Sequence, residues 1–184
     1  MGLLDKLMMA RLITFKDGSI SLYNNRVVMA PATFFYDLTQ AADDNPNEIS
    51  HLYESAKNSF KDIMAKDIRS YKFSVNDYIK WLFDTATFAG WGMLSLESLD
   101  KDKMTGTITM INSPMVEGLK GKAKTPVDHI VRGFIAGAVS MAFKGDLDAI
   151  EIECEALGAV KCKFLFKPAA QFEANELAAM QLKK

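Results

Sequence analysis

Residues 125–166 read TPVDHIVRGFIAGAVSMAFKGDLDAIEIECEALGAVKCKFLF. The first half has helix grammar. Thr125 reads as the N-cap, Pro126 as the first helical residue and Asp128 as the acid that closes a capping box. His129, Gly133, Ala136, Gly137 and Ser140 recur on one side as a mostly small-residue stripe. Small residues let a second backbone come close, so the stripe is expected to press on a sheet or on a second subunit. Gly145 is the expected stop. Two strands follow, at about 148–156 and 160–166, and the final AQFEANELAAMQLKK reads as a short amphipathic helix or a frayed tail.

Working outward, residues 12–30 read as strands broken by the turn pairs Asp17-Gly18 and Asn24-Asn25. Pro31 opens a short helix with Phe34, Phe35 and Leu38 on its apolar side. A longer helix starts near Pro46, where Ile49, Leu52, Tyr53, Ala56, Phe60, Ile63, Met64 and Ile68 recur at three- and four-residue steps. A third begins after Ser74, with Asp77 three residues on. Two strands follow Trp91, joined by the charged turn LDKDK. Residues 113–124, SPMVEGLKGKAK, read as a solvated loop. The order predicts an α+β fold: a four-stranded antiparallel sheet covered by helices, plus an N-terminal β-hairpin, in a single domain over 1–184.

A chain of 184 residues can bury a sizeable core without covalent staples. The formal net charge is −1, and no basic surplus marks a nucleic-acid partner. The opening MGLLDKLMMARL is too short and too charged for a signal peptide, and no apolar run is long enough to span a membrane. A cytoplasmic protein with reduced thiols is expected.

The two cysteines, Cys154 and Cys162, flank Gly158 symmetrically. A three-residue loop at 157–159, with Gly158 at positive φ, would set them opposite each other on one face. Their sulfurs could then share a metal, form a disulfide, or remain buried free thiols. Glu151 is an odd step from Cys154 and belongs on the other face unless the strand bulges or ends there. Zinc accepts thiolate and carboxylate in a tetrahedron, and two Cys, one Glu and one further ligand would make a closed structural set.

The run Glu151-x-x-Cys154-x-Ala156-x-Gly158-x-x-x-Cys162-x-Phe164 resembles the C-terminal signature of the 4-vinyl reductase domain family. PVDHIVRGFIAG is similar to the family's preceding helix, and YNNRVVMAPATFF to its opening strand and helix. The resemblance covers most of the chain and is specific over about 125–166. It implies a fold like that of the TRAPP core subunits, a homodimer, and a bound small hydrophobic molecule. The family includes stand-alone archaeal proteins, a bacteriochlorophyll-synthesis protein and the sensor domains of aromatic-responsive activators. In those sensors the signature Glu and both Cys bind zinc, with a third Cys from the start of the preceding helix. The resemblance therefore implies zinc at Glu151, Cys154 and Cys162. The third Cys position falls on Asp128, where this chain departs from the pattern, with His129 beside it as the other candidate donor.

Catalytic signals are absent from the sequence. It has no GxSxG, P-loop or GxGxxG, and no site for a hydride donor is legible. His51 falls on the charged side of its helix. Phe34, Phe35, Trp81, Phe88 and Trp91 sit on elements that should face the sheet, and could line a cavity for a flat apolar molecule or fill the core. Three functions compete: a stand-alone sensor or carrier of a small hydrophobic molecule, a TRAPP-like interaction scaffold, and a reductase.

Overall fold

The structure, a computed structural model, describes residues 13–182 apart from 24, 44, 68–73 and 173–175, and only the backbone of 43, 62–67 and 176. The chain divides into two compact units between residues 31 and 32. In the first, β1 (Ile13–Lys16), β2 (Ser19–Leu22) and β3 (Asn25–Val27) form an antiparallel sheet in the order β1-β2-β3. Asp17 and Gly18, both at positive φ, turn the expected hairpin, and β3 extends it by a third strand. Asn24 of the second turn pair lies outside the described residues.

The second unit begins with α1 (Ala32–Asp43), α2 (Pro46–Asp67) and α3 (Val75–Phe88). Ser74 caps α3 as its sequence requires: its Oγ accepts from the Asp77 amide at 3.3 Å and donates to the Asp77 carboxylate at 2.6 Å. On α2 the apolar stripe buries Tyr53 and Ala56, while Ile63, Met64 and Ile68 lie outside the described side chains. Strands β4 (Met93–Asp100) and β5 (Thr105–Ile111) then precede α4 (His129–Phe143), β6 (Leu147–Glu153), β7 (Cys162–Pro168) and α5 (Glu176–Leu182). The sheet is antiparallel throughout, in the order β4-β5-β7-β6. Alternation sets its face: Ile108 and Met110 of β5 and Cys162, Phe164 and Phe166 of β7 all enter the core. No helix among the described residues is long and apolar enough to cross a membrane.

Helix α4 departs from its sequence expectation at both ends. It starts at His129, three residues after Pro126, and Asp128 occupies the N-cap position without a side-chain cap bond. The expected capping box fails because the Asp128 carboxyl turns toward Ser113 instead of the helix amides. The C-cap is Lys144, in a left-handed conformation, rather than Gly145.

The small-residue stripe of α4 packs on α2, and not on the sheet or a second subunit. A Cβ built on Gly133 would collide with the Tyr53 carbonyl oxygen and lie 2.7 Å from the Ala56 Cβ; one on Gly137 would lie 2.6 Å from the Lys57 carbonyl oxygen. Both glycines are required by backbone contact. The opposite end of the stripe fastens the helix to β6, where Ser140 Oγ exchanges two 3.1 Å hydrogen bonds with the Leu147 backbone. The segment 113–124 is also not the solvated loop expected. Its Lys and Gly residues are mostly outward, but Ser113, Met115, Val116 and Leu119 are buried. Apolar side chains at this spacing, in successive turns, tuck the loop under the sheet edge.

Candidate metal centre

Four side chains from three places in the chain converge at the start of α4. Asp128 stands at the N-cap, Glu151 in β6, Cys154 just past the end of β6 and Cys162 at the start of β7. One ligand atom from each lies within 4.8 Å of every other. All four residues are at most 1% exposed.

The local backbone explains the convergence. Glu153 pairs with Lys163, so the next step sets Cys154 opposite Cys162. The link is a 3₁₀ turn at Glu155–Leu157 closed by Gly158 at φ 95°, a position where a side chain would be strained. It is longer than the three-residue loop expected, because β6 ends before Cys154. Glu151 pairs with Phe164 and Glu153 with Lys163, so Ile152 is an extra residue in β6. This bulge flips the parity of the strand and brings Glu151 to the face of the cysteines. The odd spacing that separates them in an ideal strand is thereby cancelled.

The hydrogen bonding leaves part of each carboxyl open. Ser113 Oγ donates to Asp128 Oδ1 in a very short bond, and the Asp128 amide donates to Glu151 Oε2 at 3.1 Å. Asp128 Oδ2 and Glu151 Oε1 are buried without any partner. The Glu155 amide donates to Cys162 Sγ at 3.3 Å. Outside the cage, the Gln181 side-chain amide pairs with the Glu151 backbone: the Glu151 N–H donates to Oε1 at 2.9 Å, and Nε2 donates to the Glu151 carbonyl at 2.8 Å. The carboxamide acts as one more strand on the β6 edge.

The electrostatics are those of an anionic cage lacking a cation. Burial first, then the charges of Asp128 and Cys154, push the Glu151 carboxyl well above its usual range. Burial also raises Asp128. The hydrogen bond from Cys162 lowers the Cys154 thiol to about 6, while the same contact and burial raise Cys162. In an apolar cage four such groups cannot all ionise unless a cation joins them. The donor set of two sulfurs and two carboxylate oxygens is one that zinc accepts. With ordinary zinc bond lengths, neighbouring ligand atoms would stand about 3.3–3.8 Å apart, a small contraction of the cage. The residues present therefore fit the metal.

His129, the other candidate donor, does not join the four. Its Nδ1 lies 3.1 Å from Arg132 Nη2, and burial followed by the Arg132 charge lowers its pKa to about 3. Arg132 is itself wholly buried, with the Tyr53 ring 4.8 Å away and bonds to the carbonyls of Ala149 and Gln181. His51 is exposed. The sequence reading missed Ser113, Arg132 and Gln181. Only Arg132 left a signal, as a charge inside the otherwise apolar run IVRGFIAG.

The five aromatic candidates fall into two groups. Phe35 of α1 meets Trp91 at 5.1 Å between ring centroids, and Trp91 meets Phe134 of α4 edge-on at 4.8 Å. Phe60 continues the chain of rings, 5.3 Å from Phe134. Phe34 touches Phe35 but is 54% exposed. Trp81 stacks on Tyr78 at 6.1 Å, within a separate cluster that includes Leu82 and Ala138. Phe88 is half-buried at the end of α3.

Comparison with known proteins places this architecture. No curated protein sequence matches the chain. The phenol-responsive sensory domain of the transcription activator PoxR, solved with phenol, is similar over 99% of this chain and 98% of its own, with a TM-score of 0.77 and 20% identity. A vinyl-4-reductase family protein from Methanocaldococcus jannaschii is similar over 77% of this chain and 83% of its own, with a TM-score of 0.52 and 19% identity. A trafficking protein particle complex subunit 3 from Naegleria fowleri, covalently bound to palmitic acid, aligns over 74% of this chain and 91% of its own, with a TM-score of 0.48 and 13% identity. Residues 107–168 match the family model of the 4-vinyl reductase domain. That span holds Asp128, Glu151, Cys154 and Cys162 together with β5, α4, β6 and β7, and over it the chain carries a 4-vinyl reductase domain.

Proposed function

We propose that the chain is a small-hydrophobic-molecule-binding domain, a sensor or carrier, whose sheet end is fastened by a structural zinc ion. The observation that carries this reading is the buried cage of Asp128, Glu151, Cys154 and Cys162 with two unpartnered carboxylate oxygens. Four protein ligands leave no open coordination position, so the metal's role is structural. It would tie the start of α4 to the β6–β7 link. That in turn fixes α4, whose Phe134 stands in the ring series Phe35–Trp91–Phe134–Phe60.

The half-buried ring series is the proposed apolar site. Rings of this kind accept a flat apolar ligand by stacking and edge contact. Support comes from the sensory-domain neighbour, which was solved with phenol. The scaffold alternative has less to use, because α2 already occupies the Gly133/Gly137 stripe within the chain.

Trp91 and Trp81 are the chain's two tryptophans, so Trp81→Phe leaves Trp91 as the reporter. Titration of that variant with phenol and with naphthalene should give a saturable change in Trp91 fluorescence. Organic extraction of the freshly purified protein should release an apolar molecule. No saturable change and an empty extract would remove the ligand-binding reading and leave the metal cage standing.

A further inference from the structure

A cavity of about 360 Å³ lies between the start of α2, the segment leading into α4, and α5. Pro46, Ile49, Pro126, Leu177 and Met180 supply apolar wall, and His129 also lines it. His129 is 2% exposed, and its Nε2 has no hydrogen-bond partner. The other ring nitrogen, Nδ1, faces Arg132 Nη2 at 3.1 Å. A guanidinium has only donors, so Nδ1 accepts and the ring proton resides on Nε2. A buried N–H thus stands unanswered at the wall of a mostly apolar cavity, and leaving such a donor unmet is costly. Arg132 polarises it further. That guanidinium is fully buried, and its hydrogen-bond acceptors are neutral: the Ala149 carbonyl at 3.5 Å, the Gln181 carbonyl at 3.2 Å and the imidazole. Glu151 and Asp128 act on it through space, and their carboxyls are turned to each other's neighbourhood in the cage. None of the ring series Phe35, Trp91, Phe134 and Phe60 lines this cavity.

We propose that this cavity is a second binding site, which takes a small monocarboxylate with a compact apolar body. One carboxylate oxygen accepts from His129 Nε2, and the negative charge answers Arg132 through the imidazole. The apolar body lies against Ile49, Leu177 and Met180. The site is distinct from the ring series and stands whether or not that series binds a ligand.

Calorimetric titration of the intact chain with 2-naphthoate and with 2-naphthamide tests it, since the two share a shape and differ in charge. The acid should bind about tenfold tighter or more, the range expected for a hydrogen bond to a charged group. His129→Phe should cost the acid a similar factor. Ala179→Trp, at an exposed lining position, should abolish binding of the acid with the melting curve retained, which keeps the test valid if the histidine variant does not fold. Equal binding of acid and amide, full binding to the Ala179→Trp variant, or no binding of the acid at all would each overturn the proposal.

Discussion

Replacing Glu151 by glutamine separates a metal ligand from a merely buried acid, because the two roles predict opposite signs. In the metal-free protein the Glu151 carboxyl is pushed well above its usual range, chiefly by burial. Glutamine has the same shape, carries no charge and can still accept from the Asp128 amide, as Glu151 Oε2 does at 3.1 Å. The two Gln181 bonds go to the backbone of residue 151 and survive the change. The melting temperature of chelator-treated Glu151→Gln should therefore equal or exceed that of the treated parent. In the zinc-loaded protein the same change removes one of four ligands. Losing even an outer-shell partner weakens a metal site about 10–100-fold. A direct ligand should cost about 100-fold or more. At saturating zinc that is about 2.7 kcal/mol of lost stabilisation. For a chain of this size each kcal/mol shifts the melting point by about 2–4 °C, so the expected fall is about 5–11 °C. Calorimetry with zinc and with chelator gives both numbers. An equal fall in both conditions would show that Glu151 matters for packing and not for metal, and would refute the reasoning.

Other consequences follow from single contacts. Ser113→Ala removes the donor that orients Asp128 and should weaken zinc binding about 10–100-fold in a competition titration with a chromophoric chelator. Gly133→Ala puts a methyl group into the α2 backbone; overpacking costs about 1–3 kcal/mol or more, partly offset by about 1 kcal/mol of helix propensity, and urea unfolding should show a net loss. Lys57 Nζ lies 2.6 Å from Asp148 Oδ1, and both side chains are nearly buried, so Lys57→Met should cost about 3 kcal/mol or more by stranding Asp148. The same pair sets a pH dependence. Burial alone would lower the Lys57 ammonium, but the hydrogen bond and charge of Asp148 outweigh it and hold the group above its ordinary value. A raised folded-state value means the contribution is complete below the unfolded pKa of about 10.4 and lost as pH rises beyond it. The Tyr53 hydroxyl, raised by burial and Asp148, has the same sign. Urea stability should thus fall above about pH 10.4 in the parent and fall less steeply in Lys57→Met.

The site was legible in the sequence to the extent that its members announce themselves locally. Two cysteines around a glycine, with a glutamate nearby, predicted a cross-strand pair, and the structure has that pair and Gly158 at positive φ. The parity conflict at Glu151 was also legible, since period-two geometry demands a bulge and β6 has one at Ile152. Asp128 was harder. Its position three residues after Thr125 matches a capping box, and only the distant Ser113 draws the carboxyl away from that role. Ser113 and Gln181 act across long sequence separations through ordinary polar side chains, so no local pattern marks them. The four-stranded sheet followed from alternation and turns. The partner of the glycine stripe did not, because a run of small residues shows that a backbone approaches but not which one. The loop at 113–124 was misread for a related reason: its lysines and glycines outweigh, by count, the Met115, Val116 and Leu119 that anchor it.

The central claim is that Asp128, Glu151, Cys154 and Cys162 hold zinc together. X-ray absorption at the zinc edge, on protein purified without chelator and quantified for metal, tests it most directly. The account predicts about one zinc per chain in a four-coordinate shell, with two sulfurs near 2.3 Å and two light atoms near 2.0 Å. Protein that is folded, fully reduced and free of zinc, or a zinc shell without sulfur, would contradict it.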